Sequence, residues 1–261
     1  MTGNIYMQDF KDKVVVISGA LGEIGLAIAT AYLKQNAIVV LGDVLNTEVA
    51  DQKLLPLVEF STRLAYKPLD VSNHLQVENW MNDVVSKYGK IDICISNAAR
   101  VTVKDFQTLL PEEWALEMRV NVDGAFYFAN FAAKSMAIKA VNGNVIFLGS
   151  WAAHAVHQNL PAYSVSKAAV RMINQTMALE YAKYGIRVNE IAPGYVNAGL
   201  SKTVWSELPE QKLVSQTKVP LSKIMEADEV ATQVLWLTSP QCKHVTGSTF
   251  LMDGGLSLLR P

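Results

Sequence analysis

The sequence predicts an α/β fold: a single doubly wound parallel sheet with helices on both faces. Three observations predict it. Short apolar runs rich in β-branched residues recur along the chain, helix-length amphipathic segments separate them, and a glycine-rich turn directly follows the first run. Near-continuous apolar strands are what a sheet covered on both faces requires. Alternation of strand and helix requires right-handed crossovers between parallel neighbours.

The elements follow in order. Residues 14–18 (VVVIS) form the first expected strand, and a helical pattern over 24–34 succeeds the glycines. Further strands are expected at 38–42, 64–67, 91–96, 144–148, 187–191 and 249–252. Helical segments are expected at 73–88, 112–139, 162–184 and 226–238. Pro111 and Pro161 stand where prolines open helices. Residues 194–223 break the rhythm with a long polar connection that carries Trp205, Leu208 and Leu213 at helical spacing. Connections of that length usually serve function, so a lid over the substrate is expected there; a packed surface helix pair is compatible with the same pattern.

Composition sets the outer limits. The chain has 261 residues, half of them hydrophobic, which suits one domain over 9–261 after a short N-terminal extension at 1–8. A net charge of −1 argues against a nucleic-acid or membrane-surface binder. Cys94 and Cys242 are too few for a disulfide framework and lack metal-ligand spacing, so no metal is expected. No charged-then-apolar leader opens the chain, and no uncharged stretch approaches the roughly 20 residues that span a bilayer. A soluble, cytoplasmic protein is the expectation.

Two constellations carry chemistry. In Ser18-Gly19-Ala20-Leu21-Gly22-Glu23-Ile24-Gly25 a strand passes through glycines into a helix. Such a turn lets backbone N–H groups approach a pyrophosphate, and the helix N-terminus favours its charge. This is the dinucleotide-binding arrangement of a Rossmann-type sheet. Asp43 ends the second strand, where a carboxylate accepts from a ribose 2′-OH and repels a 2′-phosphate. No Lys or Arg lies in the turn or beside Asp43, so NAD is favoured over NADP; a helix-capping Asp is the plainer alternative.

The second constellation is Tyr163-Ser164-Val165-Ser166-Lys167, which puts phenol and ammonium on one helical face. A phenol titrates near pH 10, and a neighbouring cation favours the phenolate. Tyr163 can then take a proton from an alcohol, or return one to a carbonyl. Ser150, ending an apolar strand, is placed to hold the substrate oxygen.

With these motifs the sequence resembles the short-chain dehydrogenase/reductase family in its compact form, over residues 13–255. The resemblance implies Tyr163 as acid/base, Lys167 as its electrostatic partner and ribose clamp, and Ser150 as oxygen donor. It implies that Asn121 holds a water in a proton relay, although a polar helix residue bonded only to backbone is the plainer reading. Asp70-Val71 matches the adenine contact, and Ser96-Asn97-Ala98-Ala99 the strand-end segment. Pro193-Gly194 and Val196 match the nicotinamide approach, and Asp253-Gly254-Gly255 the C-terminal signature. It also implies a homotetramer built on the helices of Asn121 and Tyr163, to which the apolar stretches 125–136 and 168–178 are suited.

Three departures stand out. Glu23 replaces the family's middle glycine, and we expect Gly22 to make the tight turn while Glu23 points outward. Ser96 and Ala99 are small-for-small changes. Ala198 replaces a threonine that bonds the carboxamide, with Asn197 as the candidate substitute.

Arg100, Trp151, His154, His157, Asn159, Tyr195 and Trp205 are the candidate substrate contacts. Their mixture suits a polar, hydroxylated small molecule against an aromatic wall; each singly is also an ordinary loop residue. The leading function is an NAD-dependent oxidoreductase of a secondary alcohol, such as a polyol or sugar. A carbonyl reductase and a non-catalytic dinucleotide sensor are the alternatives.

Overall fold

The protein is described here from a computed structural model covering residues 10–259. The extension expected over 1–8 lies outside the described residues. Seven strands form one all-parallel sheet in the order β3-β2-β1-β4-β5-β6-β7. They are β1 (Val14–Ser18), β2 (Ile38–Asp43), β3 (Leu64–Pro68), β4 (Ile93–Ser96), β5 (Asn144–Leu148), β6 (Arg187–Pro193) and β7 (Thr249–Met252). Every expected strand is present, with ends shifted by two residues at most.

The helices are α1 (Glu23–Lys34), α2 (Thr47–Leu54), α3 (His74–Tyr88), α4 (Pro111–Met118), α5 (Gly124–Ile138), α6 (Pro161–Tyr181), α7 (Gly199–Glu207), α8 (Pro209–Lys218) and α9 (Ala227–Thr238). Local chemistry marks their ends. Asn46 and Asn73 accept from Val49 and Gln76 N–H groups at the starts of α2 and α3, and the Glu113 carboxylate accepts from Leu110 N–H before α4. Gly89 closes α3 in the left-handed region.

Alternation along the strands divides the core in two. Val15 and Ile17 face α1 and α9 through Ile28, Tyr32, Val230 and Val234. Val14 and Val16 face α3, α5 and α6 through Trp80, Phe128, Ala132 and Val170. Both faces are dry, which is why the strands read as continuous hydrophobic runs.

The segment expected as one helix over 112–139 is α4 and α5 joined by a π-helical turn at Arg119–Asp123. The long connection beyond β6 folds into α7 and α8, a helix pair. The tight turn after β1 belongs to Gly19, not Gly22. Gly19 has φ +59, and a Cβ there would stand 2.6 Å from Ala98 Cα. Gly22 lies in extended backbone at φ −74 as the N-cap of α1, with only ordinary contact around its Cβ position. Gly25 is the second constrained position, since a Cβ would come within 2.6 Å of Gly19 O. Gly25→Ala is therefore expected to cost roughly 1–3 kcal/mol, as overpacking against fixed backbone does, read as a lower urea midpoint at unchanged m-value.

Candidate active site

Sheet order reverses between β1 and β4, and a cavity of about 900 Å³ opens there at the carboxyl ends of the strands. This is where a doubly wound sheet leaves a crevice. Two polar side chains, the buried Ser18 and the half-buried Asn97, hold its floor. The Ser18 hydroxyl accepts from Asn97 N–H (3.1 Å) and Ala98 N–H (3.2 Å). The Asn97 amide donates to the carbonyls of Ser18 (3.2 Å) and Gly19 (2.8 Å). Asn97 borders the cavity, yet its amide nitrogen is committed to the turn. Ser18 is a positioning residue that sequence reasoning passed over, being one polar residue at the end of an apolar run.

All the predicted cofactor contacts border this one cavity. The glycine turn (Gly19, Leu21, Gly22, Glu23, Ile24, Gly25), Asp43, Asp70, Val71, Ala98 and Ala99 are at one end, and Pro193, Val196, Tyr163 and Lys167 at the other. The Asp43 carboxylate accepts from Leu21 N–H (3.0 Å) and Leu45 N–H (3.3 Å), so it faces the turn. Lys53 of α2 borders the same cavity, a cation that the reading of the turn and of Asp43's chain neighbours did not include. That helix is short, with Ala50 alone buried, and gives almost no periodic signal.

Glu23 turns away from the glycine turn toward α7. Its carboxylate accepts from Gly199 N–H (2.6 Å) and from the Lys202 ammonium. Burial alone would raise its pKa, but these two donors hold the carboxyl below the usual range. Outward placement holds, then, although Gly22 is not the reason for it. Asn197 does not replace the missing threonine: its amide donates to both Glu226 carboxylate oxygens (3.1 and 3.0 Å). Of the hydroxyl-bearing residues in the connection after β6, Tyr195 and Ser201 border the cavity.

At the other end, Tyr163 and Lys167 stand one turn apart on α6, with the Lys167 ammonium 5.6 Å from the Tyr163 ring centre. The ammonium is buried and donates to Leu148 O at 2.6 Å, which ties α6 to the end of β5. Ser150, two residues beyond that carbonyl, hydrogen-bonds to Tyr163. Burial pushes the Tyr163 phenol up to about 12, the bond from Ser150 opposing and the Glu117 carboxyl adding to it. Burial likewise lowers Lys167 to about 8, against the pull of Glu190 and Glu117. Among the protein's own groups, the phenol is thus held in its acid form.

Asn121 lies in the π-helical turn, fully buried, and outside the cavity lining. Its Oδ1 accepts from Arg100 N–H (2.7 Å), while Nδ2 donates to Arg100 O (2.8 Å) and Ser166 Oγ (3.0 Å). It therefore pins the loop after β4 to α6, close to the plainer of the two sequence readings.

The substrate candidates separate into two groups. Arg100, Trp151, His157 and Tyr195 border the cavity. Trp205 sits behind them, buried, its ring 6.2 Å from Tyr195, which in turn packs 5.5 Å from Trp151. His154 and Asn159 do not reach the cavity, which corrects their expectation; both line a separate hollow beside α6. His154 bonds Arg171 at 3.1 Å, and Asn159 sits at φ +61 with its carbonyl accepting from Lys104 N–H. A turn within residues 154–160 points them away, and such a reversal has no periodic signature.

Residues 19–257 match the family described as enoyl-(acyl carrier protein) reductase. The chain belongs to the short-chain dehydrogenase/reductase family. It is 30% identical to glucose 1-dehydrogenase 2 of Bacillus subtilis, over 96% of this chain and 97% of that protein. It is 31% identical to 3beta-hydroxysteroid dehydrogenase 1 of Eggerthella lenta, over 96% and 95%. Among solved structures, Thermoplasma acidophilum aldohexose dehydrogenase superposes with a TM-score of 0.87 at 26% identity, covering 97% of each chain. This short-chain dehydrogenase/reductase is an oxidoreductase, and its cofactor class is a nicotinamide dinucleotide. The cavity fits that group: the α1 N-terminus, which has no side-chain cap, borders it at one end, and Tyr163 borders it at the other. Among the described residues, no helix is long and apolar enough to cross a membrane, and no three His, Cys, Asp or Glu gather as a metal site.

Because Glu23 bonds outward, removing its carboxylate takes away an exposed ion pair worth under about 1 kcal/mol. Glu23→Gly is expected to leave affinity for the nicotinamide dinucleotide within about fivefold of the parent. Fluorescence titration checks this; a gain of a hundredfold would mean that the carboxylate opposes the pyrophosphate.

Proposed function

We propose that this enzyme is an NAD-dependent dehydrogenase of a secondary alcohol in a small polar molecule, of polyol or sugar type, with Tyr163 as general acid/base. One observation carries it: Ser150, Tyr163 and Lys167 share one cavity with Asp43 and the glycine turn. When bound, the nicotinamide supplies or accepts the hydride and, when oxidised, adds a positive charge.

The chain's own residues do the rest. Ser150 holds the substrate oxygen beside the phenol. Tyr163 exchanges the proton at that oxygen, as base toward an alcohol and acid toward a carbonyl. Lys167, fixed on Leu148 O, provides the charge that brings a phenolate within reach. Asn121 fixes the loop from which Arg100 borders the cavity.

The wall of Trp151, Tyr195 and His157 supports a substrate whose apolar face stacks while its hydroxyls meet polar groups. Relatives named for glucose and aldohexose support the sugar reading, whereas the hydroxysteroid relative supports a bulkier alcohol. For the cofactor, Asp43 supports NAD, and Lys53 is the observation that favours NADP. Lys53 is exposed, and its charge also acts on Glu23.

Assembly rests on the outer faces of α5 and α6. The apolar residues Phe128, Ala132 and Met136 pack into the core. Phe126, Ile138, Met172 and Leu179 stay exposed on the same helices and support a homotetramer.

Initial rates over alcohols and ketones, run separately with NAD and NADP, test the proposal. NAD-linked turnover of a sugar or polyol is the expected result, and firm NAD binding with no turnover would favour a sensor. Tyr163→Phe is expected to lower turnover by at least about 10²-fold while NAD affinity is kept. Asp43→Ala is expected to narrow the preference for NAD over NADP. With Lys167 titrating near 8, its charge is present below that pH and lost above it, so carbonyl reduction should decline as pH rises through about 8.

A further inference from the structure

Gly149 lies between Leu148, whose carbonyl holds Lys167, and Ser150. A Cβ at Gly149 would come within 1.9 Å of Glu190 Oε1. The space a side chain would take is filled by a carboxyl from the neighbouring strand. Glu190 is fully buried on β6, opposite Phe147 in the register. It lies two residues from Val188 and so on the same face of the sheet, the face that packs against α6. Oε2 accepts from Thr249 Oγ1 on β7, and Oε1 has no hydrogen-bond partner. A buried carboxyl half without a donor is costly unless nearby charge compensates.

The compensating charges are on α6. Lys167 and Arg171 are four residues apart, hence on one helical face; burial raises the Glu190 carboxyl above its usual range, and the Thr249 hydroxyl and these two charges oppose that rise and favour the carboxylate. Other titratable groups face this cluster. Glu117 of α4 acts on Lys167 and on Tyr163, and is itself held by Thr102 N–H and the charge of Arg100. His154 bonds Arg171 and feels Asp253. Glu190 differs from Glu117 in acting on Lys167 but not on Tyr163.

We infer that Glu190 is a positioning residue of the site: seated in the gap left by Gly149, its buried carboxylate keeps the Lys167 ammonium charged. The inference rests on the role proposed for Tyr163 and Lys167. Without Glu190, burial would drive Lys167 toward the neutral amine, and Tyr163 would lose the cation that makes it a base. Glu190 acts only through Lys167 and touches neither proton nor hydride.

The test is Glu190→Gln, which preserves shape and removes charge. In protein labelled with 13C at lysine Cε, the Lys167 resonance, assigned by its loss in Lys167→Met, reports the ammonium directly. Its midpoint is expected to fall by roughly one pH unit or more in Glu190→Gln. The alkaline limb of the turnover profile should fall with it, while melting temperature and NAD affinity stay near the parent values. An unchanged midpoint and limb in folded Glu190→Gln overturns the inference. Should that variant fail to fold, Glu190→Met, neutral and of similar length, takes its place. The same fall in the midpoint is then expected, and no shift overturns the inference. Tyr163→Phe separates the two readings. If it retains turnover, the acid/base proposal fails whatever Lys167 does. If it is inactive while Glu190→Gln moves nothing, Glu190 alone is excluded.

Discussion

The buried hydroxyl of Ser18 is the contact on which the cofactor end of the molecule depends. It lies where β1 and β4 end side by side and the sheet changes direction. Both strands must leave the sheet there, and the first N–H groups of the β4 exit lose their ladder partners. Ser18 Oγ takes two of them, and the Asn97 amide returns the favour to two carbonyls of the β1 exit. The exchange brings Ala98 so near Gly19 that no side chain fits between them. Replacing either partner would strand buried polar groups at about 1–3 kcal/mol each. The turn is therefore set by hydrogen bonds beneath it as much as by its glycines.

At the other end a buried charge plays the same part. Lys167 joins α6 to β5 by one hydrogen bond, and the strand that receives it continues into Ser150. Tyr163, Lys167 and Ser150 are thus all placed by one helix–strand contact. The cost is desolvation, visible in a Lys167 ammonium lowered and a Tyr163 phenol raised by burial. Burial of this kind strengthens the action of every nearby charge. The same burial disfavours the phenolate, which the Lys167 ammonium beside the ring opposes.

How much of this the sequence carried depends on whether the signal was local. Strands such as Val14–Ser18 were legible because burial on both faces makes the run apolar as far as its last residue. Tyr163 and Lys167 were legible because four residues on a helix are one turn. Where placement depends on distant backbone, legibility ended. Gly19 and Gly22 are alike in sequence, and only the approach of Ala98 distinguishes them. His154 and His157 are three residues apart, yet a turn sends one to the cavity and the other to Arg171. Glu117 and Glu190 sit inside apolar segments, where a lone carboxylate shows nothing until its neighbours are known. Asn121 was found through resemblance, but its π-helical turn has no periodic pattern of its own.

Glu23 shows why a departure from a family pattern is best read through its new partners. A carboxylate at the head of α1 is favoured by the helix dipole yet would oppose a pyrophosphate bound there. The conflict is relieved because α7 begins within reach, offering the Gly199 N–H at its own amino end and Lys202 one turn on. Two helix N-termini therefore share one acid, and the glycine turn is bonded to the first turn of α7. A glycine in place of Glu23 would leave that tie unmade. The substitution exchanges some room at the turn for a link between the head of α1 and α7.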